Sequence, residues 1–203
     1  MVRKATEHGM VDVLPQIALI AKFPTPGRAK TRLVPALGEE GAAQVHRRLV
    51  ERTMVTIRTS GLPFSVWTTG ASHAEFADWL GDDIRFVEQG EGDLGARLAR
   101  VPAPGIVLGG DIPGLTVQHL RDAAAGLAQV PAVIGPASDG GYYLLGFQHQ
   151  MPFLWRDMPW GTETVRERTE MLLREQKIAY RLLDELDDCD RPEDLVKWPD
   201  LLE

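Results

Sequence analysis

A five-residue apolar run, Ile17-Ala18-Leu19-Ile20-Ala21, stops abruptly at Lys22-Phe23-Pro24-Thr25-Pro26-Gly27, and this break constrains the fold more than any other stretch. The run reads as a short buried strand. Two prolines and a glycine then forbid helix and strand alike. The loop continues through Arg28-Ala29-Lys30-Thr31-Arg32. In open α/β sheets ligands bind in the crevice beyond the carboxyl ends of the strands, which is where such a loop would lie. Lys22, Arg28, Lys30 and Arg32 there suit an anionic ligand, above all a polyphosphate. A solvated basic turn is the competing reading.

The chain around this loop alternates. A helix is expected from Gly38 to Thr59, with Ala42, Val45, Leu49, Val50, Met54 and Ile57 on one sector and His46 packed at the core edge. Strands are expected at Phe64–Thr69, Ile84–Val87, Gly105–Gly109, Pro131–Gly135 and Ile178–Leu183. Helices are expected at Ala71–Leu80, from Leu94, from the Thr116 cap to Gln129, and at Thr164–Gln176 with Val165, Met171 and Leu172 inward. Trp67 and Trp79 read as core. This spacing predicts an α/β protein with a largely parallel sheet. Gly140-Gly141 leads straight into Tyr142–Phe147 without a helix, so one antiparallel strand is expected and the sheet is mixed. A flexible tail over residues 1–15 and a single domain over residues 16–203 complete the organisation.

Composition narrows the partners. With 22 Lys plus Arg against 29 Asp plus Glu the net charge is −7, which argues against a general nucleic-acid or membrane surface. Any bound anion must therefore meet a local basic site. No apolar run reaches the roughly 18 residues of a membrane span, and a cytoplasmic location is expected. Cys189, the only cysteine, excludes a disulfide framework and lies in an acidic run that opposes thiolate formation.

Asp111 follows the strand Gly105–Gly109 and should face the same crevice as Lys30. A carboxylate beside a polyphosphate costs roughly 4 kcal/mol per charge pair at 4 Å unless a cation intervenes. Mg2+ or Mn2+ held by one or two carboxylates and the phosphates is the usual resolution. A turn-forming role before Pro113 is the alternative. Asp188 and Asp190, after the last strand, are candidates to complete the metal site. Asp190 with Glu193 also reads as a capping box, while Glu185 and Asp187 read as solvent-facing. The glycine-rich loop Gln89 to Gly95 lets backbone amides approach a ligand. Asp139-Gly140-Gly141-Tyr142-Tyr143 and Trp160-Gly161-Thr162-Glu163 present aromatic and polar groups suited to a small acceptor, with core packing as the alternative.

Taken in order, KFPTPGRAKTRL, QGEGDLGARL, GGDIPGL, GPASDGGYYLLG, MPWGTETV and DDCDRPEDL resemble one bacterial family, covering about Ile17 to Leu195. These are the GT-A-type glycosyltransferases associated with arsenosugar biosynthesis or with radical-SAM and selenium-related domains. The family looks like a branch of the nucleotide-diphospho-sugar transferase superfold, so the resemblance implies a GT-A-like three-layer α/β/α sandwich around a mostly parallel, mixed central sheet. The resemblance implies nucleotide or phosphate contacts from Lys22, Gly27, Lys30, Thr31, Arg32, Gln89, Gly92, Asp93 and Gly95. It implies a metal on Asp111, Asp188 and Asp190, and an acceptor near Gly140, Gly141, Tyr142, Trp160, Thr162 and Glu163. Asp111, Lys30 and Asp139 would be catalytic, Asp139 as the acceptor's base. Two positions depart from the family pattern: Gly110 before the key carboxylate, and Gly114 where a second carboxylate stands.

The expected activity is metal-dependent glycosyl transfer from a nucleotide-sugar donor to a small-molecule acceptor, with no nucleic-acid partner and a homodimer compatible with it. The alternatives are a nucleotidyltransferase that releases pyrophosphate from an NTP, and a non-catalytic nucleotide-binding subunit.

Overall fold

The structure, a computed structural model, describes residues 14–203, so the tail expected over residues 1–15 lies outside them apart from Leu14 and Pro15. Seven strands form one sheet: β1 (Gln16–Lys22), β2 (Phe64–Thr69), β3 (Phe86–Glu88), β4 (Gly105–Leu108), β5 (Ala132–Pro136), β6 (Tyr142–Phe147) and β7 (Tyr180–Leu182). Their order across the sheet is β3-β2-β1-β4-β6-β5-β7. β1 pairs in parallel with both β2 and β4. β6 alone runs against its neighbours, β4 and β5, as the turn at Gly140-Gly141 predicted. Because the chain leaves β1 to build outward on one side and returns to add β4 on the other, a crevice opens at the carboxyl ends of β1 and β4.

The period of two along the strands divides the core. Ile17, Leu19 and Ala21 face one layer with helices α1 (Val34–Ser60), α2 (His73–Leu80) and α4 (Val117–Leu127). Ala18 faces the other, with α3 (Leu94–Leu98) and α5 (Val165–Glu175). The result is a three-layer α/β/α sandwich. The long helix begins at the glycine where the sequence placed it: Gly38 has φ 73° and breaks the first turn of α1 from the rest. All six residues expected on its inner sector are buried. Val50, Met54 and Ile57 face the sheet, whereas Ala42, Val45 and Leu49 pack under the C-terminal segment with Leu195 and Leu201. Among the described residues no helix is long and apolar enough to cross a membrane.

Three local expectations need correction. The buried stripe of α5 is Val165, Thr169 and Leu173, an i, i+4, i+8 row, rather than Val165, Met171 and Leu172. Trp79 is half-buried at the surface edge, its Nε1 donating to Glu51 Oε1 at 2.7 Å under the Arg47 guanidinium; Trp67 is core. The Asp190–Glu193 capping box does not form. Asp194 instead accepts from the Asp190 and Arg191 backbone amides, and the turn that follows is a short 3-10 helix, Asp194–Lys197.

Replacing the fully buried Leu19 at the centre of β1 by Ala removes methyl groups from both packing and the sheet, and is expected to cost about 2–5 kcal/mol in urea unfolding. Val55→Ala, on the exposed face of α1, should stay within about 0.5 kcal/mol.

Candidate functional site

At the carboxyl ends of β1 and β4 two chambers lie side by side. The first, about 570 Å3, is lined by the basic loop, the end of β1, His46, Gln89 and Arg97. The second, about 380 Å3, is lined by α3, the end of β4, Tyr142, Tyr143, Trp160 and Thr162. Ile20, Gly110, Asp111, Asp139, Gly161 and Asp190 line both and form the shared wall.

Lys30 stands at this wall. Its backbone takes a left-handed conformation, φ 46° and ψ 46°, which costs a non-glycine residue of order 1–2 kcal/mol and recurs at functional sites. The conformation swings the side chain inward, where only 5% of it remains exposed. Its Nζ sits 2.7 Å from Asp111 Oδ1 and 2.5 Å from Asp190 Oδ1. Burial pushes the Lys30 pKa down, but the two carboxylates outweigh it and hold it above its ordinary value. Asp111 mirrors this: burial raises its pKa, and the Lys30 ammonium more than compensates, holding it low. Arg32 Nη1 donates to the other oxygen of Asp190 at 3.0 Å.

Backbone contacts deliver these carboxylates. Leu186 bridges to Ala137 beyond the end of β5, and Cys189 N donates to Asp111 O at 3.0 Å, so residues 186–190 are drawn across the sheet edge to Asp111. The Cys189 thiol is buried under this crossing and pushed up to about 11, consistent with a bystander. Asp188 accepts from Ser138 Oγ at 3.3 Å. Burial, with Asp139 and Asp190 nearby, raises its pKa. Asp139 Oδ1 accepts from Gly141 N at 2.8 Å, which fixes the turn and the carboxylate together.

A divalent cation fits this arrangement in one way. Asp111 Oδ1 is buried, yet the side chain is 48% exposed, so the exposure falls on the cleft side with Oδ2. No three metal-ligating side chains cluster tightly among the described residues. An all-protein cage is therefore absent. Asp111 with Asp190 or Asp188, plus phosphate oxygens of a ligand, suits the hard, oxygen-only preference of Mg2+ or Mn2+.

The structure brings Lys22, Lys30, Thr31, Arg32 and Gln89 into the first chamber, and Gly141, Tyr142, Trp160 and Thr162 into the second, with Asp188. Gly27, Gly92, Asp93, Gly95, Gly140 and Glu163 line neither. Their reasons are local. Asp93 caps α3 by accepting from Ala96 N at 2.8 Å, and Arg100 pins the glycine-rich loop through the Gln89 and Glu91 carbonyls. A Cβ on Gly95 would stand 2.8 Å from Trp160 Nε1 and overlap the Trp155 carbonyl, so Gly95 lets α3 approach the aromatic loop. Gly140, at φ 86°, lies against the Glu163 backbone, and Gly27 against the Glu39 carboxylate.

The two departures from the family pattern have packing complements. A Cβ at 110 would meet Val50 at 3.2 Å, and one at 114 would face the Trp198 ring at 3.6 Å. Gly114 lines neither chamber.

His46 and Arg97 were not expected at the site. The His46 ring is neutral at pH 7, its pKa lowered by burial; Nε2 donates to Lys22 O at 2.8 Å and Nδ1 lies 4.0 Å from Asp111 Oδ1. Arg97 lies one turn beyond the glycine-rich loop, and its place in QGEGDLGARL was the available signal. Gln89 uses its amide hydrogens to join the Ala21 and Trp67 carbonyls, which leaves its carbonyl oxygen for a ligand.

Lys30→Met leaves two carboxylates facing one another without their cation and should cost roughly 1–3 kcal/mol at neutral pH. Asp111, with a lowered pKa, contributes stability above its ordinary 3.8 that is lost as pH falls through the folded value. Lys30, with a raised pKa, contributes stability below 10.5 that is lost as pH rises through its folded value. In urea unfolding the gap between wild type and variant is thus widest between these limits and closes at both ends. A gap unchanged from pH 3 to pH 7 would mean the bridge carries no net stability. Gly95→Ala should cost about 1–3 kcal/mol through overpacking.

Comparison with known proteins agrees with the topology. A candidate nucleotide-diphospho-sugar transferase from Desulfovibrio desulfuricans G20 superposes with a TM-score of 0.84 at 28% identity, over 89% of this chain and 84% of its own. A nucleotidyl transferase from Methanothermobacter matches at TM-score 0.58 and 18% identity, over 93% and 97%. Glucosyl-3-phosphoglycerate synthase from Mycobacterium tuberculosis, solved with Mg2+ and uridine diphosphate, matches at TM-score 0.55 and 10% identity, over 90% and 74%. The fold is thus that of the nucleotide-diphospho-sugar transferases, the GT-A-like arrangement; two of these three similar proteins are named transferases and the third a synthase. A search of curated proteins finds no match. A family model described as an uncharacterized protein conserved in bacteria, DUF2064, matches residues 53–162, and the chain belongs to that family.

Proposed function

We propose that this chain is a transferase that seats a nucleotide-sugar donor in the cationic chamber and passes its glycosyl group to a small acceptor in the second. The observation that carries this reading is the shared wall: Asp111, Asp139 and Asp190 face both chambers, so one set of carboxylates stands where two substrates would meet. The 28%-identical Desulfovibrio relative supports the donor class, and the synthase solved with Mg2+ and uridine diphosphate supports the cofactor class. The arsenosugar association implied by the motifs belongs to this proposal and leaves the acceptor to be named by chemistry.

Lys22, Arg28, Arg32 and Arg97 bind the diphosphate, and Lys30 joins them when the donor arrives. Asp111 and Asp190 would hold a divalent ion, which would supply charge neutralisation at the leaving diphosphate. The acceptor's hydroxyl oxygen attacks the anomeric carbon. The bond from that carbon to the diphosphate oxygen breaks with its electron pair, and the hydroxyl proton passes to Asp139. Positioning and preorganised charge carry the acceleration.

The number of cations in the first chamber favours a second reading, a nucleotidyltransferase attacking the α-phosphate of an NTP. The products separate the two: free nucleoside diphosphate from a sugar nucleotide, or pyrophosphate from an NTP.

A thermal-shift screen of nucleotides and sugar nucleotides with Mg2+ or Mn2+ is the first test. A ligand at about 100 times its dissociation constant adds roughly 2.7 kcal/mol, or about 5–10 °C for a chain of this size. Stabilisation by one sugar nucleotide plus metal, with turnover lowered about 10²–10³-fold in Asp111→Asn, is the expected outcome. Preference for an NTP promotes the second reading, and indifference to every nucleotide removes both. Binding without turnover in the wild type would leave a nucleotide-binding subunit.

A further inference from the structure

The two chambers differ in sign. Five cations, Lys22, Arg28, Lys30, Arg32 and Arg97, line the first. No Lys, Arg or His lines the second. Its charged groups are Asp111, Asp139, Asp188 and Asp190, and the rest of its wall is chiefly apolar, with Leu94, Ile112, Tyr142 and Trp160 available for contact. The cations beside it are already committed: Lys30 Nζ lies 2.7 Å from Asp111 Oδ1 and 2.5 Å from Asp190 Oδ1, and on α5 Arg166 Nη1 donates to Glu185 Oε2 at 3.0 Å. Resting on the transferase reading above, we infer that the second chamber selects a neutral or cationic acceptor with a flat apolar body and turns away acceptors bearing a carboxylate or phosphate.

The physical basis is that discrimination comes as much from what a site repels as from what it holds. An anionic acceptor entering this chamber loses its hydration and meets the Asp139 and Asp188 carboxylates, which have no cationic partner among the described residues, while Lys30 and Arg32 are already held by Asp111 and Asp190. A neutral or cationic one loses little and gains aromatic and aliphatic contact, with Asp139 and Asp188, each bound to a single neutral donor, able to take its hydroxyl or ammonium hydrogens. The same asymmetry sorts the two substrates: the diphosphate is drawn to the first chamber and repelled from the second. It also weighs against the nucleotidyl reading, whose acceptor would carry the phosphate or carboxylate that attacks.

The test uses three probes with one body and different charge: 4-hydroxyphenethyl alcohol, tyramine and 4-hydroxyphenylacetate. Binding is followed by ligand-observed NMR titration at pH 7.5, with saturating pyrophosphate present to keep the anion out of the cationic chamber. The alcohol and the amine should bind at least about tenfold more tightly than the carboxylate, the size expected of one close unit-charge repulsion. Leu94→Lys, a substitution at a 39%-exposed position on the chamber rim, should narrow or reverse that order by supplying the missing cation. The inference is overturned if the carboxylate binds as well as the alcohol, if none of the three binds, or if Leu94→Lys leaves the order unchanged. Stabilisation of the chain by pyrophosphate alone reports on the phosphate chamber separately. The transferase reading can therefore survive a failure here, and the reverse also holds.

Discussion

The ion bridge from Lys30 to Asp111 and Asp190 is the interaction on which the rest of the site depends. It joins three remote pieces of chain: the loop after β1, the end of β4 and the crossing after β7. A buried ammonium with two carboxylates is favourable only while all three remain, because removing one leaves the others charged and poorly solvated. That condition explains the left-handed backbone at Lys30. The strain is of the same order as the roughly 1–3 kcal/mol cost of leaving Asp111 and Asp190 facing each other alone. The bridge also marks where positive charge is wanted, which is the position a metal and a diphosphate would share.

Around that point the molecule separates charge by topology. Cations come from one continuous loop after β1, with Arg97 added from α3. Carboxylates come from the ends of β4, β5 and β7, which the antiparallel insertion of β6 between β4 and β5 sets side by side. A basic chamber and an acidic, apolar chamber therefore meet along a single wall. A group transferred between a polyphosphate donor and an uncharged acceptor would cross that wall, and the long C-terminal packing onto α1 holds both sides in place without entering either.

Much of this was legible locally. The Ile17–Ala21 run, the cationic loop, the strand before Asp111 and the tight Gly140-Gly141 turn each carry their conformation in a few adjacent residues, and each formed where expected. Other positions carry more than their local pattern states. Gly92, Asp93 and Gly95 look like a ligand-cradling loop, and each also has a local structural role: Gly95 packs against Trp155 and Trp160, Gly92 against Ala96, and Asp93 caps α3. Asp190 looks like a helix cap, but two cations outbid a backbone amide for a carboxylate, and Asp194 took the cap. His46 looks like core, and is, yet the same burial sets it beside Asp111.

The sequence by itself determined the alternation of strands and helices, the largely parallel sheet with one reversed strand, and the chemistry available at each loop. Periodicity, turn residues and charge all act over fewer than about ten residues, so they can be read without the fold. Which side chains meet was decided only by tertiary structure. Lys30 and Asp190 are 160 residues apart, and nothing local states that the one will hold the other. The division into two chambers of opposite sign belongs to the same class of fact. It follows from which strand ends become neighbours, a property of sheet order rather than of any stretch of chain.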